Sequence, residues 1–191
     1  MHKATLHIKN MVCPRCIQAV EGTLKQMGLN VHKITLGRVD VTQPEEELDY
    51  DQINRILNHL GFELLQGQEQ QLAEQIKIAL IHYLDMLEKH DRVLKTSTYL
   101  SEAMGMSYSR LSKLFSRHEN VTIEKYLILL KIERVKEWLS YDEMTLSEIA
   151  HRLKYSSVNH LSNQFKNITG ITVSEFKNQP YIHRHSFDLL S

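Results

Sequence analysis

Cys13 and Cys16 are the only cysteines in the 191-residue chain, and they stand three positions apart as C-P-R-C. Two thiolates at i and i+3, the second opening a helix, can converge on one cation, and a helix N-terminus lowers thiol pKa. Two soft sulfur donors favour copper(I) over zinc, which normally takes four ligands. No Asp or Glu stands beside Cys13 to add a harder third ligand. The same spacing also serves thiol redox chemistry; without an export signal it reads as thiols kept reduced, for metal or redox work. His2, His7 and His32 fall on strand patterns and are read as surface residues without a ligating role.

A second set of chemistry-bearing residues lies far downstream. The segments LSEAMGMSYSRLSKLFSRHENVT and IAHRLKYSSVNHLSNQFKNITGIT repeat one pattern, at an offset of 49 residues that becomes 50. Gly105 and Met106 map on Lys154 and Tyr155, Leu111 on Leu161, Phe115 on Phe165 and Asn120 on Gly170. Each copy reads as a short helix, a tight turn and a second helix opening at a serine cap, Ser107 or Ser157. That is the outline of a DNA-binding helix-turn-helix, and its repetition makes it specific. In the first copy Tyr108, Leu111, Leu114 and Phe115 form an inward face, which leaves Ser109, Arg110, Ser112 and Lys113 outward. In the second, Val158, Leu161 and Phe165 turn in, and Asn159, His160, Ser162 and Asn163 line the outer side. Lys113 suits the major-groove acceptors of guanine, and Asn159 or Asn163 suits adenine. Arg117, Lys154 and Lys166 are placed for phosphates.

These side chains need elements to hold them. Between the copies, TIEKYLILLKIERVKEWLS (122–140) reads as a helix whose stretch 126–130 is apolar at every position, so it is buried on several sides. It spaces the copies, which would let one monomer address two successive major grooves roughly 34 Å apart. Residues 69–90 read as one long helix whose apolar end, IKIALIHYLDML, packs as the first helix of the downstream domain. Trp138, Tyr141 and the methionines are read as core rather than ligand-binding.

Upstream, the pattern gives a strand over 4–8, a helix through Ile17, Val20, Leu24 and Met27 stopped by Gly28, and a hairpin turning at Gly37-Arg38. Val31 and Ile34 are one residue out of step in its first arm. An acidic loop (44–47), a helix over 50–60 and a strand over 62–65 complete a βαββαβ order.

Composition bounds the function. Hydrophobic content of 42% can build cores, while 23 basic residues balance 23 acidic ones. Residues 1–69 carry 7 basic and 9 acidic groups and residues 70–191 carry 16 and 14, a faint basic bias downstream. The N-terminus lacks an apolar signal core and no run approaches a membrane span, so a cytoplasmic protein is expected. No phosphate loop, general base or paired carboxylates stand out, which argues against an enzyme.

Two resemblances sharpen this reading. Met11-Val12-Cys13-Pro14-Arg15-Cys16 followed by AVEGTL, with LGFEL later, resembles heavy-metal-associated (HMA) domains over nearly all of residues 1–66. The resemblance implies that Cys13 and Cys16 hold a soft cation, with Met11 and Phe62 packed beside it. GMSYSRLSKLF, KIERVKEWL, LSEIAHRLKYSS, HLSNQFK and TGITVSEF resemble the C-terminal DNA-binding domain of AraC-type regulators. Lys154 departs from that pattern where Gly is usual, Val173 where Pro is usual and Val135 where Ala is usual.

The expectation is therefore a two-domain chain: an α+β ferredoxin-like βαββαβ domain (1–67), then an all-α tandem helix-turn-helix. A connecting helix (68–90) merges into the double helix-turn-helix domain (75–180), and a tail (181–191) with His183 and His185 is exposed. The expected partner is double-stranded DNA, with a homodimer as an option, since two thiolates leave copper(I) open to a ligand from a second chain. The expected cofactor is a soft metal ion, copper(I) favoured, or none. A redox switch, a protein-docking module, a thiol oxidoreductase and a metal carrier stand as alternatives.

Overall fold

The computed structural model describes residues 2–43, 48–141 and 144–178. The acidic loop (44–47) and the tail with His183 and His185 lie outside the described residues. Two compact units divide the chain, Met1–Ile78 and Ala79–Ser191.

In the first unit, β1 (His2–Lys9) leads through α1 (Pro14–Gln26) to a hairpin of β2 (Asn30–Thr35) and β3 (Arg38–Gln43). Next come α2 (Tyr50–His59) and β4 (Glu63–Leu64). The sheet order is β2-β3-β1-β4, with every neighbouring pair antiparallel. Alternation explains its two faces: Leu6, Ile8, Val39 and Val41 are buried, while Thr5 and Asp40 on the opposite face share a 2.7 Å hydrogen bond. Val20 and Leu24 of α1 join Ile53 and Leu57 of α2 in one cluster with the buried strand residues, so both helices cover the same face.

Strand lengths differ from the expected ones where pairing decides them. β1 begins at His2 because it is registered on β3 from His2↔Gln43 onward. β4 shrinks to two residues, paired at Ile8↔Leu64 and Lys9↔Glu63. The one-residue slip between Val31 and Ile34 is a register irregularity between Val31 and Lys33. Gly28, at φ 81, ends α1 in the left-handed conformation that glycine adopts without steric cost.

Helix α3 (Gln68–Lys89) carries residues of both units. In the second unit it is followed by α4 (Thr96–Met104), α5 (Tyr108–Glu119), α6 (Ile123–Tyr141), α7 (Leu146–Arg152), α8 (Val158–Thr169) and α9 (Val173–Asn178). α6 is the central strut. Ile123, Tyr126, Leu127, Leu130, Ile132, Val135, Lys136 and Leu139 are all buried, more than one stripe could hold. It starts where the Thr122 hydroxyl accepts from the Lys125 N–H at 3.2 Å. The two copies anchor to the rest alike: Phe115 of α5 meets Tyr126 edge-on at 5.4 Å, and Phe165 of α8 meets Phe176 of α9 at 5.6 Å. Arg134 joins α6 to the downstream half of α3 through Asp85 and Glu88, both at 3.3 Å.

Several core assignments change: of the described methionines only Met11 is buried, while Met27, Met86, Met104, Met106 and Met144 are half-buried. Tyr141, at the last position of α6, is 59% exposed. Trp138 is half-buried, with the guanidinium groups of Arg134 and Arg152 at 5.9 and 6.0 Å from its ring.

Candidate nucleic-acid interface

The two helix-turn-helix copies, α4–α5 and α7–α8, turn through the left-handed conformation at matching positions. Gly105 sits at φ 63 and Lys154 at φ 57. The lysine therefore leaves the turn intact rather than altering it. Hydrogen bonds hold it there: Lys154 N–H donates to the His151 carbonyl at 3.1 Å and Tyr155 N–H to the Ala150 carbonyl at 2.9 Å. This paired closure satisfies the last carbonyls of α7.

In α5, Leu111, Leu114 and Phe115 are buried, whereas Ser109, Arg110, Lys113 and Arg117 are exposed and Ser112 is half-buried. In α8, Leu161 and Phe165 are buried; Asn159, His160, Asn163 and Lys166 are exposed and Ser162 is half-buried. Spacings of three and four residues put each polar set on the face opposite the buried one. Lys154 is half-buried and pairs at 3.6 Å with Asp91, itself 91% exposed on its side chain, a surface contact of little energetic weight.

The serines before the two recognition helices differ. Ser157 accepts from the His160 N–H at 3.1 Å and caps α8. Ser107 occupies the same position before α5, but its side chain makes no capping bond, which corrects the expectation that both serines cap. Tyr108 compensates by donating from its hydroxyl to the Glu124 carboxylate at the start of α6. That bond holds the Glu124 carboxyl below its ordinary range, and burial together with Glu124 pushes the Tyr108 phenol up.

Further residues that the sequence pattern did not single out surround the second copy. Lys131 of α6 donates from Nζ to the Leu153 carbonyl at 2.8 Å and lies 5.1 Å from the Tyr155 ring centroid. Tyr155 donates to Gln164 Oε1 of α8 at 2.6 Å, and its ring meets His160 edge-on at 5.3 Å. His160 Nδ1 is 3.0 Å from Ser156 Oγ. A lysine within the apolar run ILLKI was the available signal.

The thiol pair belongs to the first unit. Cys13 is the N-cap of α1 and Pro14 its first residue, so the thiols flank the helix's first turn. The Cys13 carbonyl accepts from the Cys16 N–H at 3.0 Å, and the two Sγ atoms lie 3.2 Å apart, half-buried and unbridged. Burial pushes the Cys13 thiol up, but hydrogen bonds from the Cys16 N–H and thiol and from the Arg15 N–H, with the Arg15 charge, bring it below its ordinary value. Burial and its bond to Cys13 raise the Cys16 thiol. Met11 and Phe62 are buried in the cluster against which Cys16 packs. Among the described residues no group of three or more His, Cys, Asp and Glu side chains is arranged to hold a metal. His32 Nε2 lies 2.7 Å from the Thr42 hydroxyl.

Residues 100–179 match the model of a family described as a helix-turn-helix domain. The C-terminal part of the chain is accordingly similar to a helix-turn-helix domain. An uncharacterized HTH-type transcriptional regulator of Staphylococcus aureus (strain MSSA476) is 29% identical over an alignment of 135 positions that covers 60% of this chain and 18% of that protein. The uncharacterized HTH-type transcriptional regulator YtdP of Bacillus subtilis (strain 168) is 28% identical over 69 residues, 36% of this chain and 9% of its own. The chain thus spans less than a fifth of the length of these relatives. Among solved structures, a DNA-binding transcriptional dual regulator from Escherichia coli K-12 aligns with a TM-score of 0.48 and 19% identity, covering 61% of this chain and 95% of that one. The C-terminal domain of AraT, a response regulator from Geobacillus stearothermophilus, aligns with a TM-score of 0.48 and 17% identity, covering 63% and 98%. Among the described residues no helix is long and apolar enough to cross a membrane.

Proposed function

We propose that this chain is a sequence-specific, DNA-binding transcription regulator of AraC type. The observation that carries the reading is the pair of recognition helices, each buried along one side and polar along the other, on either side of a shared buried strut. Ser109, Ser112 and Lys113 of α5, and Asn159, Ser162 and Asn163 of α8, are assigned to base edges. Arg110 and His160 flank these sets, and Arg117, Lys154 and Lys166 are assigned to phosphates. Gel-shift titration against duplexes selected from a random library tests it; a chain that selects no double-stranded sequence is not a regulator of this kind.

The first unit is assigned as an HMA-like, ferredoxin-like sensor of a soft metal ion, copper(I) favoured, through Cys13 and Cys16. Two sulfur donors brought together at a helix start suit a soft ion of low coordination number. When bound, such an ion supplies a strong link between thiolate sulfurs. Cys13, the more acidic thiol, loses its proton first, and Arg15 beside it favours the charge. A change at the pair reaches the DNA-binding unit through α3 or through pairing of two chains. Cys13→Ser with Cys16→Ser should abolish both copper(I) uptake by the reduced protein and any metal effect on DNA affinity. Undiminished metal control in that double variant contradicts the assignment.

A second reading is favoured by the opposite shifts of the two thiols, the pattern of an attacking and a resolving cysteine. Here a peroxide or disulfide oxidant takes two electrons, both thiols lose their protons, and a Cys13–Cys16 bond forms. DNA affinity would then follow oxidant and persist under a metal chelator.

A further inference from the structure

We propose that Lys131, a residue of the strut that faces no DNA, is the positioning residue of the second recognition helix, acting through Tyr155. The inference rests on the DNA-binding reading above and adds a division of labour to it.

Four observations converge. Lys131 Nζ donates to the Leu153 carbonyl at 2.8 Å, at the C-terminal end of α7, where free carbonyls concentrate negative charge. The same ammonium lies over the Tyr155 ring at 5.1 Å, within cation–π range. Tyr155 in turn donates to Gln164 Oε1 in the middle of α8 at 2.6 Å. Its ring edge also meets His160 in the first turn of α8, at 5.3 Å and 84°. One lysine from α6 thereby fixes the end of α7, the turn and two levels of α8. Burial holds its ammonium down to about 8, so it stays cationic at neutral pH. A half-buried cation is tolerated when such partners replace water.

The first copy has no equivalent. Met106 stands where Tyr155 stands and Leu114 where Gln164 stands, so neither the hydroxyl nor the amide is present. Its recognition helix is tied to the strut from the other end, by Tyr108 and Glu124. Removing the Lys131 contacts should therefore loosen α8 and leave α5 in place. Lys131→Met keeps the unbranched stem and removes charge and donor; Lys131→Arg keeps both.

Amide hydrogen exchange of the full chain without DNA reads the positioning itself. Lys131→Met should speed exchange across 153–164 about tenfold or more while α5 and α6 keep wild-type rates, and Lys131→Arg should restore it. On the duplex selected by the wild-type chain, Lys131→Met should weaken binding about tenfold, with protection lost over the half-site of α8 only. Unchanged exchange across 153–164, or equal loosening of α5 and α8, overturns the proposal. Local loosening in a chain whose wild type selects no duplex instead overturns the DNA-binding reading, so the two failures are distinguishable.

Discussion

The two helix-turn-helix copies share a backbone and differ in what secures it. The first turns at Gly105, which takes φ 63 at no steric cost; the second turns at Lys154, which takes φ 57 against a penalty of about 1 kcal/mol. The second offsets that strain with a better-made frame. A capping box at Thr145 and Glu148 opens α7, Ser157 caps α8, and Lys131 clamps the turn from the strut. α4 and α5 have no side-chain cap at their N-termini, and α5 relies on the Tyr108–Glu124 tie. One fold is reached by a permissive residue in one copy and by tertiary bonds in the other.

Leu130→Asp is the largest perturbation and the one that should erase the comparison. Leu130 is 1% exposed in the strut that both copies share, and a carboxylate there should cost several kcal/mol. Thermal melting should show the loss, and both half-sites should lose protection together, although no base-reading residue is touched. A variant that binds DNA normally would remove α6 from the centre of this architecture.

A smaller pair of changes separates the copies. Ser157→Ala deletes the 3.1 Å cap of α8 and should cost about 1 kcal/mol, read by denaturant unfolding. Ser107→Ala, which deletes no capping bond, should stay within about 0.5 kcal/mol of wild type. Equal losses would show that the serines act alike and that the caps do not distinguish the two helices.

The smallest effect should carry opposite signs on its two readouts. Lys154→Gly relieves the left-handed turn and should stabilise the chain by up to about 1 kcal/mol, while removing a cation assigned to phosphate and weakening DNA binding uniformly across sequences. The exposed Asp91 pair lost with it contributes little. A destabilised glycine variant would mean that the turn depends on the lysine side chain itself.

Much of this architecture was legible because it rests on periodicity and repetition. The strut declared itself through the unbroken apolar run 126–130, and the recognition faces through residues three and four apart. Even the bulge near Val31 left a trace, as alternation slipped by one residue. Other features depended on partners that no local pattern encodes. Lys131 stands out only as a lysine in the apolar run ILLKI until the Leu153 carbonyl, 22 positions away, is brought beside it. Ser107 and Ser157 are identical in type and position, yet only Ser157 reaches a backbone N–H of its helix. Tyr141 has the composition of a core residue but ends its helix and is exposed. The alternation over 62–65 did not reveal that only two residues of β4 would pair, at Ile8↔Leu64 and Lys9↔Glu63.

The central claim, that one chain presents two base-reading helices on a fixed strut, is tested most directly by selecting duplexes from a randomised double-stranded library with the full reduced chain and footprinting the product. The account predicts a composite site with two protected half-sites about 10 base pairs apart, the first lost in Lys113→Ala and the second in Asn163→Ala. Selection of a single uninterrupted half-site indifferent to one of these substitutions, or of no duplex, would contradict it.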